Sequence, residues 1–188
     1  MMKRALMLLA ASILVLGGCK DKKTSNNDII TTDFEMPMPS ETPVTMSSLT
    51  EQKEVQWVEG RNYRVMVTRM AVDSLPKISD EIGQKYVDNQ VKVTVMRADS
   101  TVFFNRTFTK SAFLNWLDGD YREHALLEGI RFLKAEGSDL VFVAWFNYPQ
   151  AGDDEAKVLQ LSVSRMGEVD IKPFVDNDRD DLEQLEQE

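Results

Sequence analysis

Leu140-Val141-Phe142-Val143-Ala144-Trp145-Phe146-Asn147-Tyr148 is apolar on both of the faces that a strand presents. Successive side chains of a strand point to opposite sides. Leu140, Phe142, Ala144 and Phe146 fall on one side, and Val141, Val143 and Trp145 on the other. Such a strand is central and covered on both faces, so Trp145 is expected in the core. Glu136-Gly137-Ser138-Asp139 in front of it is a turn, and Ile130 to Ala135 is its antiparallel neighbour.

The same period of two recurs on either side. Val91, Val93 and Val95 alternate with Lys92, Thr94 and Met96; Arg97-Ala98-Asp99-Ser100 turns the chain into Val102, Phe104 and Phe108. Leu159, Leu161 and Val163 alternate with Gln160, Ser162 and Ser164, and Met166-Gly167-Glu168 leads to Val169 and Ile171. Both read as hairpins. Arg61 to Val72 is a further long strand. The expectation is a mainly β domain over residues 55–175: an antiparallel meander of about seven strands forming a sandwich or an open barrel. One segment departs from this. Phe113, Trp116 and Leu117 have helical spacing within Lys110 to Leu117, with Thr109 to cap the start, Gly119 to end it, and a further helical turn in Tyr121 to Leu127.

The chain has 188 residues, 43% of them hydrophobic and 28% charged, which suits one folded domain. Its formal charge of −9 is the wrong sign for a nucleic-acid partner or for electrostatic attraction to anionic lipid. Residues 1–18 have the layout of an export signal: Lys3 and Arg4, then a short apolar run, then small residues. The run is too short to span a bilayer, which takes about 20 apolar residues. Residues 19–54, rich in Ser, Thr and Asn with Pro37, Pro39 and Pro43, show no sustained period and are expected to form a flexible tether. Residues 176–188 hold seven acids and one base, a solvated acidic tail.

Chemistry-bearing patterns are sparse. His124 is the sole histidine and stands beside no nucleophile motif, so it is expected to be a polar surface residue. Asp118 and Asp120 flank Gly119 and are the nearest candidates for a carboxylate pair, with a simple Asp-Gly-Asp turn as the plainer reading. Asp176-Asn177-Asp178-Arg179-Asp180-Asp181 begins like a calcium loop but has Asp181 in place of the glycine and Gln187 in place of the closing glutamate. Gly152-Asp153-Asp154-Glu155 is a second acidic cluster. Solvated charge accounts for both, and no metal, no cofactor and no catalytic residue is expected. Among the aromatics, Trp116, Trp145, Phe103, Phe104, Phe142, Phe146 and Tyr148 read as core, although a small β fold can keep an apolar cavity.

Leu16-Gly17-Gly18-Cys19 resembles the lipobox of bacterial lipoproteins. The resemblance implies cleavage before Cys19, acylation of that residue, and a membrane held through its acyl chains; loss of Lys3 and Arg4 brings the charge from −9 to −11. Thr109-Lys110-Ser111-Ala112-Phe113, Leu127-Glu128-Gly129-Ile130-Arg131-Phe132 and the strand ending at Tyr148-Pro149 resemble an uncharacterised domain family of small Bacteroides-type lipoproteins. Surface-exported members of that group carry acids after the cysteine. Lys20-Asp21-Lys22-Lys23 is mostly basic, which implies an outer-membrane anchor with the domain facing the periplasm. The group also O-glycosylates Asp-Ser/Thr-apolar (or Thr) triplets, which makes Ser74 and Ser100 candidate O-glycosylation sites. The functional expectation is a non-catalytic binding domain for a periplasmic protein or an envelope polymer. The alternatives are a lipocalin-like carrier of a small apolar molecule and, third, an envelope hydrolase.

Overall fold

The computed structural model of the chain describes residues 38–151 and 156–175. The leader, Cys19, the first part of the tether, the acidic cluster at 152–155 and the acidic tail lie outside these residues. Among the described residues ten strands form where alternation marks about seven: β1 (Leu49–Trp57), β2 (Arg61–Ala71), β3 (Lys77–Ser79), β4 (Lys85–Val87), β5 (Asn89–Arg97), β6 (Val102–Thr109), β7 (Leu126–Glu136), β8 (Asp139–Asn147), β9 (Lys157–Ser164) and β10 (Val169–Pro173). They build two four-stranded antiparallel sheets, in the orders β1-β2-β5-β6 and β10-β9-β8-β7, and a small β3-β4 hairpin.

The two large sheets share one core. Val65, Val67, Val91, Val93, Val95 and Phe108 face it from the first sheet; Ile130, Leu140, Phe142, Phe146, Leu159 and Leu161 face it from the second. Each such side chain, fully buried, contributes about 1.5–3 kcal/mol over its exposed state. β8 and β9 are interior to their sheet, as the doubly apolar run requires. The hairpin turns after β7 and β9 place Gly137 and Gly167 at φ +56° and +80°, a region open to glycine at little cost.

Three local expectations change. β1 begins at Leu49, inside the stretch whose composition marks it as tether, and Val44 pairs with Tyr86 of β4. Gln84 fixes this entry: its Oε1 accepts from Ser40 N and its Nε2 donates to Thr42 O at 3.2 Å. The helical insert is not one helix. Lys110–Phe113 is a 3-10 turn, and Trp116 N donates back three residues to Phe113 O at 2.9 Å, so Phe113 and Leu117 are buried while Trp116 remains 43% exposed. Thr109 makes no cap and bonds Ser111 instead. Gly119 opens rather than closes a helix, α1 (Gly119–His124), and Leu126 and Leu127 already belong to β7.

Candidate functional site

β1 is the edge of one sheet and β7 the edge of the other, and they lie along the same side of the sandwich, with β7 packed on β1 and β2. The register places Leu49, Glu51, Lys53, Val55 and Trp57 on the inner face of β1. Toward Trp57 the inner face of this first sheet is aromatic and buried. Trp57, Tyr63 and Phe103 meet edge to face, with ring centroids 5.1–6.2 Å apart. At Glu51 and Lys53 the inner face turns charged, and the seam does not close. Inward charge is also a common way to blunt an edge strand.

The result is a groove in two adjoining sections of about 470 and 480 Å³, both lined by Leu49, Glu51, Val67 and Arg131. One section continues to Lys53, Val65 and Phe132; the other reaches Arg69, Glu128, Gly129, Ile130 and Trp145. The Glu51 carboxylate accepts from Arg131 Nε at 3.2 Å where the sections join. Arg69, on the inner face of β2, donates from Nη1 to Glu128 O and from Nη2 to Ser47 O, each at 2.9 Å. It thereby ties both edges together. Burial pushes its guanidinium below the ordinary value, and the nearby Glu128 partly opposes this.

Trp145 is where the sequence expectation for β8 fails. The strand is interior, yet the indole is only half-buried and lines the groove. It points away from the sandwich core, and its partner on β7 is Gly129, next to a bulge at Glu128. Two bulges, at Leu127/Gly129 and Phe132/Lys134, interrupt this edge, a placement typical of edges that re-aim a side chain.

A second polar cluster centres on the buried Asp88 and Asn89. Asp88 Oδ1 accepts from Asn89 N at 2.8 Å and from Leu127 N at 2.9 Å, and Lys110 Nζ donates to Ala125 O at 2.6 Å. Burial holds the Asp88 carboxyl above the ordinary carboxylate range, against the pull of those two N–H groups, and burial lowers Lys110. These groups hold the start of β7 against the start of β5.

The other sequence candidates occupy plain positions. Asp118 caps α1 by accepting from Tyr121 N at 3.2 Å. Asp120 accepts the Tyr148 hydroxyl, and this bond raises Tyr148 above the usual phenol range. The two carboxylates are thus engaged separately. His124 ends α1 with an exposed ring, 3.9 Å from Glu123. Ser74 and Ser100 stand exposed in the turns after β2 and β5, Ser100 with φ +67°. Among the described residues no group of three or more His, Cys, Asp or Glu is placed to hold a metal, and no helix is long and apolar enough to cross a membrane.

Sequence reasoning does not single out Glu51, Arg69 or Arg131 as groove residues. Gly129 did carry a signal, since a lone glycine inside a strand pattern often marks a close approach or a bulge. Residues 128–132 of the Leu127–Phe132 motif line this groove.

Fold and groove together define a two-sheet β-sandwich with an open, mixed-charge seam. The family described as "Domain of unknown function (DUF4738)" matches residues 29–171, which include every element but the last two residues of β10, and the chain belongs to that family. No curated protein matches the chain in sequence.

Proposed function

We propose that this protein is a lipid-anchored bacterial envelope protein whose β-sandwich is a non-catalytic binding module, and that the β1–β7 groove is its binding face. The observation that carries the binding reading is the half-buried Trp145, which lines an open groove instead of the core. Large aromatics normally contribute through burial, and a Trp left partly accessible in a concave site with a few convergent polar groups has the character of a ligand contact. The anchor reading rests on the sequence around Cys19. Two or more acyl chains hold a protein stably where a single chain does not. The domain would face the periplasm from the outer membrane, and its partner would be a periplasmic protein or an envelope polymer.

Two variants test the two halves. Cys19→Ser should move the protein from the membrane fraction to the soluble fraction and abolish lipid labelling; retention after a high-salt wash rules out the lipid anchor as the sole attachment. Crosslinking and recovery of the acylated protein from its native envelope should yield the same bound material from wild type each time and lose it in Trp145→Ala. Equal recovery by both proteins rules out the groove as the binding face.

A further inference from the structure

We infer that the Trp145 end of the groove is a site for a neutral glycan, one sugar ring lying against the indole above Gly129. This rests on the groove being the binding face and adds the chemical class of what it holds.

Gly129 carries the argument furthest. Glycine in a strand is destabilising, because it loses more freedom on folding and packs nothing. Of the structural reasons that could require it, a left-handed backbone and a crowded Cβ do not apply, and the adjoining bulge at Glu128 leaves room for a side chain here. Its φ is not in the left-handed region, and a Cβ built on it would meet nothing within 4 Å. The position is cross-strand from Trp145, so a side chain there would stand beside the indole on the same face. What the glycine does is leave that space open. The aromatic surface kept accessible is the surface on which the C–H face of a sugar packs.

Charge narrows the class. The chain carries −9 overall, yet this section of the groove is lined by two bases, Arg69 and Arg131, and two acids, Glu51 and Glu128. Their charges cancel. Arg131 is engaged by Glu51, and Arg69 by the carbonyls of Glu128 and Ser47. A charged ligand would have to compete with those partners, which already offset each guanidinium. Hydroxyl groups, which donate and accept at once, can add to fixed donors and acceptors without breaking any. A wholly apolar ligand would leave four charged side chains facing it.

The same geometry disfavours an added peptide strand. Strand addition needs a regular row of free backbone groups. The β7 edge is broken by two bulges, and the Glu128 carbonyl is already taken by Arg69. A volume of about 470 Å³ lies within the usual range of small-ligand sites, roughly 300–1,000 Å³.

The test is a titration of the full chain, followed by Trp fluorescence and calorimetry. The probes are neutral hexasaccharides of glucose, galactose, mannose and N-acetylglucosamine, with oligogalacturonate and chitosan oligomers as charged counterparts. At least one neutral oligomer should bind. Its affinity should fall about tenfold or more in both Trp145→Ala and Gly129→Val, and Gly129→Val should melt at or above wild type, because valine suits a strand better than glycine. Should valine disturb the bulge and lower the melting temperature, Gly129→Ala meets no steric contact and should weaken binding about threefold. Binding of charged oligomers alone, or unchanged affinity in the glycine variants, overturns the inference. If no neutral oligomer binds while the envelope crosslink still depends on Trp145, the glycan class is wrong and the binding-module reading stands; if both fail, both are wrong.

Discussion

Phe142 and Trp145 lie three residues apart on β8 and should respond differently to truncation. Phe142 is fully buried between the sheets, so Phe142→Ala should cost about 3–5 kcal/mol. Trp145 is half-buried beside a glycine, so Trp145→Ala should cost about 1–2 kcal/mol, nearer the cost of a partly exposed site. Urea melts of the two variants check the pair, and equal losses would return Trp145 to the core. Asp88 gives a second prediction at this scale. Its native pKa is raised by burial, so the native state holds the proton more tightly than the unfolded chain does. Stability from this group is therefore present at low pH and lost as pH rises through the native pKa. The stability of wild type relative to Asp88→Asn should fall across the window that starts near pH 4 and extends upward. A pH series of urea melts with a flat or rising difference would contradict this.

At the scale of elements, the legible strands are those whose core positions are all apolar. Val91, Val93 and Val95, or Leu159, Leu161 and Val163, announce both strand and face. β1 is not legible, because Glu51 and Lys53 occupy inner-face positions and break the alternation. The feature that hides the strand is the feature that opens the groove. β3 and β4 have three residues each, too few for any period to show. The 110–117 insert has helical spacing, but three-residue hydrogen bonding and an outward Trp116 make it a tight turn. A domain starting at residue 55, where the polar stretch ends, would lack most of β1. That chain should lose cooperative unfolding or melt well below one starting at residue 38, since Tyr63, Val65 and Val67 of β2 would become the edge. Thermal melts of the two chains decide this, and matching curves would show that β1 is dispensable.

For the whole molecule, the point where the chain enters the domain bears on reach. Ser40 and Thr42 are held by Gln84, and Val44 by β4. If Cys19 is anchored, about twenty residues of sequence separate it from Ser40, the first residue held by the domain, fewer than a tether running to residue 54 would supply. The groove lies between the β1 and β7 edges, opposite the β6 and β10 edges. That it would be open was not legible in the sequence, because residues from β1, β2, β7 and β8 meet only once both sheets are folded. The most direct test of the groove as the binding face is a photo-crosslinking amino acid placed at position 129 in cells, with one at position 172 on the exposed β10 edge as the control. A crosslinked adduct at 129 and none at 172 is the expected result; no adduct at 129, or the same adduct at both positions, would contradict the account.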